Sequence, residues 1–163
     1  MKIKKMTILM TAVALLAMSV VPAFANGGTT YYSDLWAGRD HTDVGSVTVV
    51  WTGNILHITY MTEGCWRLVE THLAVGESLE DIPQTNSGNP KIGHFPYSEE
   101  HNPTVTEYTY DVDVGASSGL FYVAAHAVVC CTCNDRCETA WGQGLNHAEF
   151  PGNSWALYFT IED

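Results

Sequence analysis

The sequence predicts an all-β chain: an antiparallel two-sheet sandwich, immunoglobulin-like in layout, behind a cleavable N-terminal signal helix. Three observations carry this. Apolar residues alternate with period two through several stretches, the pattern of strands with one buried face. Short turns containing glycine separate those stretches. Beyond the first 25 residues, no window repeats apolar residues at the helical spacing i, i+3, i+4 and i+7. Sheets with one apolar face bury it most simply against each other, hence the sandwich.

The first element is an address rather than a part of the fold. Lys2, Lys4 and Lys5 precede an apolar run from Met6 to Val21, Pro22 ends it, and Ala23-Phe24-Ala25 offers small residues where a signal peptidase reads. The run falls short of the ~20 apolar residues of a spanning helix. Residues 1–25 are therefore expected to be removed, leaving residues 26–163 as one β-sandwich domain that is secreted or held at the cell surface, with no membrane span.

The strands follow. A weak one covers Thr29–Ala37. Val47, Val49 and Trp51 share a face, and Gly53-Asn54 turns the chain into a partner strand with Leu56, Ile58 and Tyr60 on one side. From Cys65 to Val75, Arg67, Val69, Thr71, Leu73 and Val75 are expected on one face. Trp66, Leu68, Glu70, His72 and Ala74 are expected on the other. Thr104–Val114 and Leu120–Val129 form a second hairpin, the latter with an unbroken apolar face of Phe121, Val123, Ala125, Ala127 and Val129. The last strand points Trp155, Leu157, Phe159 and Ile161 inward. Two long irregular segments, Gly76–Pro103 and Cys130–Asn153, interrupt the pattern, and loops of that length are usually functional or stapled.

Composition excludes some functions. Apolar residues make up 46% and charged residues 15%, the balance of a packed chain rather than a disordered one. Once residues 1–25 leave, Arg39, Arg67, Lys91 and Arg136 face 18 acidic residues, a formal charge of −14. Nucleic acid and anionic lipid call for a basic patch, so neither is an expected partner. An extracellular protein or glycan is.

All five cysteines fall in the exported part, where disulfides persist. Cys130, Cys131, Cys133 and Cys137 cluster, and Cys65 starts a distant strand. One or two disulfides are expected, a bridge inside the cluster tightening the second long segment or one from Cys65 to the cluster tying two strands together, and the odd fifth cysteine is free, bridged to a partner or bound to something else. The alternative is a thiolate site for zinc or copper, although the spacing lacks the paired C-x2-C of common zinc modules.

Glu70 and His72 project from one strand face. If the strand carrying His126 lies alongside, Glu70, His72 and His126 form a metal-ligand set, with His94 and Tyr97 closing over it. Calcium has one candidate loop, Asp40-His41-Thr42-Asp43, which lacks the usual alternating carboxylates. No cofactor is required by any motif; zinc, copper and calcium are the candidate ions. Catalysis is not called for: there is no G-x-S-x-G, H-E-x-x-H or P-loop pattern, and Glu138 near His147 has no spacing that demands a reaction. Aromatics placed in loops or at strand ends, Tyr31, Tyr32, Trp36, Tyr97 and Trp141, are candidates for stacking on sugars or partners.

Five separated strings, Thr62–Gly76 (TEGCWRLVETHLAVG), Gly88–Tyr97 (GNPKIGHFPY), Tyr122–Val129 (YVAAHAVV), Glu138–Gly142 (ETAWG) and Asn153–Phe159 (NSWALYF), resemble an uncharacterised β-rich module of secreted and cell-surface proteins of bacteria and archaea. The resemblance spans roughly residues 35–162 and implies an extracellular β-sandwich without an assigned activity. The Cys130–Cys137 cluster departs from that pattern. Taken together, the sequence reads as a secreted, acidic, disulfide-stapled binding or structural module, the alternative being a secreted metal-binding domain.

Overall fold

The computed structural model describes residues 28–117, 119–144 and 148–162. The predicted signal segment and His147 lie outside the described residues. The described residues form ten strands: β1 (Thr29–Ala37), β2 (Thr42–Thr52), β3 (Ile55–Thr62), β4 (Trp66–Gly76), β5 (Tyr97–Val105), β6 (Glu107–Asp113), β7 (Leu120–Cys131), β8 (Cys137–Gln143), β9 (Ala148–Glu149) and β10 (Leu157–Glu162). Two three-residue 3₁₀ turns, Leu79–Asp81 and Ile92–His94, are the helical elements among the described residues. None is long and apolar enough to cross a membrane.

The all-β expectation holds; the two-sheet sandwich does not. The strands join one antiparallel sheet in the order β5-β4-β7-β8-β1-β2-β3-β6, with β10 also paired to β7. That sheet curls until its two outer strands face each other, giving a nearly closed barrel. The strand twist makes such closure the natural end of a long sheet with one apolar face. Aromatic and hydroxyl groups knit the β5/β6 seam. Tyr97 packs against Tyr110 at 5.8 Å and His101 against Tyr108 at 4.7 Å between ring centres. Thr71 Oγ1 lies 3.1 Å from His101 Nε2 and 2.8 Å from Tyr110 Oη. The Tyr110 hydroxyl also donates to the Thr71 carbonyl. Burial pushes the Tyr110 phenol up to about 12, so it stays a neutral donor.

The barrel interior is filled by the alternation read above: Val47, Val49 and Trp51 of β2, Leu56, Ile58 and Tyr60 of β3, and the Phe121–Val129 face of β7. The β2–β3 register pairs Thr52 with Ile55, so Gly53 and Asn54 form the two-residue turn, with Gly53 at φ 58°. Two expectations fail: Thr104–Val114 and Leu120–Val129 do not form a hairpin, since β6 pairs with β3 and β7 with β4, β8 and β10, and the expected faces of β4 shift. A bulge between Leu68 and Glu70 switches the phase of β4, so Leu68 enters the core together with Thr71 and Leu73.

A second core lies on the outer face of the wall. Ala74 and Ala124 offer a flat surface there, and Ile82, Phe95, Trp141, Phe150, Ala156 and Leu157 pack onto it. It fastens the segments that the sequence presented as long loops. Neither is wholly irregular: the first ends in β5 and the second contributes β8 to the wall. Both β8 and β10 run antiparallel to β7, β8 beside His126–Cys130 and β10 beside Leu120–Val123. They occupy one lane of the barrel, β8 ending at Gln143 and β10 beginning at Leu157. Gly144 permits the departure, since a Cβ there would sit 2.3 Å from the Cβ of Phe159.

Candidate functional site

Three features carry chemistry. The first is the Glu70, His72 and His126 group. In the β4–β7 ladder His72 stands directly opposite His126, and their rings are 5.5 Å apart between centres. Glu70 Oε2 lies 3.3 Å from His72 Nε2. The three thus share the outer face of the wall, at the edge of the second core. His126 is only 3% exposed, beneath Trp141 at 4.8 Å between ring centres. Phe95, rather than His94 or Tyr97, closes over this face by packing on Trp141. His94 is exposed, and Tyr97 turns to the barrel core. Neither ring nitrogen of His126, nor Nδ1 of His72, has a hydrogen-bond partner among the described residues.

Burial, with a smaller contribution from His72, lowers the His126 pKa to about 3. The sign of the stability effect follows. The unfolded imidazole, with an ordinary value near ~6.5, takes up a proton as pH falls while the folded one refuses it. Stability is full above pH ~6.5 and declines toward pH ~3. From pH 7 to pH 5 the expected loss through this group is about 2 kcal/mol. His72 is the titratable side chain against His126, and Glu70 lies behind it. Denaturant unfolding at the two pH values in a chelating buffer, compared with His126→Gln, checks this: equal pH slopes in the two proteins would contradict it.

The second feature is sulfur. Cys65 is bridged to Cys131 and Cys130 to Cys137, with Cys133 free and exposed. The adjacent Cys130 and Cys131 point to opposite sides of β7, so one bridge ties the end of β7 to β8 and the other ties it to the turn before β4. Among the described residues, Cys65, Cys131 and Cys133 are the set of three whose ligand atoms all lie within 4.8 Å of one another. A metal requires thiolates, so this set could hold an ion once the Cys65–Cys131 bridge is reduced. At the calcium candidate, Asp43 Oδ1 accepts a hydrogen bond from the Gly45 amide at 3.1 Å, bracing the turn.

The third feature is a groove of about 760 Å³ beside β10 and the first half of β1. Tyr31, Tyr32, Tyr122 and Tyr158 line it, with Thr30, Thr160 and Glu162 supplying polar groups. Tyr32 is 74% exposed, and Tyr122 and Tyr158 are 5.8 Å apart between ring centres. The Tyr31 hydroxyl donates to the Glu162 carbonyl, linking β1 to β10. Of the five aromatics expected as stacking contacts, Tyr31 and Tyr32 line this groove, whereas Trp36 stacks on His41 at 4.8 Å, Tyr97 packs into the barrel, and Trp141 is buried under the second core. Tyr122 of β7 and Tyr158 of β10, which the sequence did not single out, complete the aromatic surface with the β1 tyrosines. Their convergence needs the β7–β10 pairing, which no sequence spacing shows.

No known protein family, curated protein or solved structure matches the chain.

Proposed function

We propose that this chain is an exported, disulfide-stapled β-barrel that acts as an extracellular or cell-surface binding module, and that its ligand is a glycan held in the β1/β10 groove. The observation that carries the reading is that groove. Tyrosine faces present apolar area to the C–H faces of a sugar ring, while hydroxyls and a carboxylate rim offer partners to its hydroxyl groups. The acidic surface disfavours anionic ligands and leaves neutral saccharides as the better match. Export is supported by the lysine-led apolar segment at the start of the sequence and by two disulfides, which persist in oxidising compartments.

A glycan array probed with the protein is expected to yield a binding saccharide. Tyr32→Ala and Tyr158→Ala should each weaken that binding by about tenfold, the loss of one stacking contact. An array with no bound glycan, or binding that survives both substitutions, would refute the proposal.

A further inference from the structure

We propose that Glu70, His72 and His126 form a binding site for a divalent transition-metal ion of the zinc(II) or copper(II) class, independent of the groove. A buried imidazole normally satisfies both ring nitrogens, since an unpaired buried polar atom gives up its hydration without compensation. His126 is buried and satisfies neither among the described residues. Its neighbour across the ladder is a second imidazole, whose Nδ1 is likewise buried and unpartnered. A lone pair on a neutral imidazole is a ligand for borderline metal ions, and paired imidazoles with a carboxylate are among their common donor sets. Glu70 completes the set, already 3.3 Å from His72.

The site has a rigid part and an adaptable part. His126 is fixed by Trp141 and the second core. The side chains of His72 and Glu70 are 18% and 40% exposed, which gives an ion a path from solvent and gives the ligands room to turn. They must turn, because this trio does not meet the 4.8 Å spacing that the three sulfurs meet. Zinc holds its nitrogen ligands at ~2.0–2.1 Å, so binding draws the exposed pair toward the fixed imidazole.

The test is calorimetric titration of the purified, non-reduced protein with zinc(II), paralleled by copper(II) electron paramagnetic resonance. One equivalent should bind, and the copper spectrum should show coupling to two imidazole nitrogens. His72→Ala should weaken zinc binding by about a hundredfold and Glu70→Gln by about tenfold, with Cys133→Ser unchanged. His72 and Glu70 are partly exposed, so these variants keep the fold even where His126→Ala does not. Absence of binding would overturn the proposal. So would binding that His72→Ala leaves intact, or binding that Cys133→Ser abolishes, which would place the ion at the sulfurs.

Discussion

Replacing Trp141 by alanine is expected to destabilise the fold by about 3–5 kcal/mol, the cost of removing a large buried aromatic and leaving its cavity. Trp141 is 3% exposed and touches three layers at once. It lies over His126 of the barrel wall, and its ring packs near Phe95 of the first long segment and Phe150 of the second. The substitution therefore removes the piece that holds both segments to the wall. Urea unfolding measures the loss, and hydrogen exchange locates it: residues 77–96 and 148–156 should lose protection before the barrel strands do. A loss below ~1 kcal/mol would show that the second core does not depend on this ring.

The second large effect concerns the staples. The Cys65–Cys131 bridge closes a loop of 66 residues, and the Cys130–Cys137 bridge one of 7. Loop-closure entropy makes the first worth about 4 kcal/mol and the second about 2 kcal/mol. The double substitution Cys65→Ser/Cys131→Ser should thus lower the melting temperature by roughly 10–15 °C, about twice the drop for Cys130→Ser/Cys137→Ser. Equal drops would mean that the loss comes from local packing around the cluster instead of from the chain entropy of the unfolded state.

Much of the barrel was legible in local pattern. The β2–β3 hairpin follows from Gly53-Asn54 between two alternating runs, and the β7 face from five apolar residues at every second position. What escaped depends on neighbours far apart in sequence. Closure into a barrel is a property of strand order, and alternation carries no strand order. β8 was hidden because Ala140, Trp141, Gly142 and Gln143 are all buried. Two cores cover its two faces, and the period-two signal vanishes when both faces are covered. β5 was hidden for the opposite reason: Ser98, Glu99 and Glu100 are exposed, and His101 alone of its residues is buried.

The candidate site divides the same way. That Glu70 and His72 share a face is a matter of spacing, whereas the pairing of His72 with His126 is a matter of register. The same bulge that moved Leu68 into the core left Glu70 and His72 on the outer face. Both cysteine bridges were foreseeable in kind. Their exact pairing needed the β4–β7 and β7–β8 ladders that bring the sulfurs together.

The shared lane of β8 and β10 also sets the order in which the fold can be completed. β1 gains its neighbour β2 at once, through a short turn, but its other neighbour is β8, over a hundred residues further along. Ser33 reaches Gln143 across a separation of 110 residues, and Tyr31 reaches Glu162 across 131. A chain emerging from its N-terminus therefore carries bare strand edges on β1 and β7 until its last quarter is available. Closure is a late, non-local event, which slows folding and leaves those edges open to other chains in the meantime. Such a delay is compatible with the proposed export, because a chain that has not closed stays threadable; for a chain cut short before β8, the same edges become a route to aggregation.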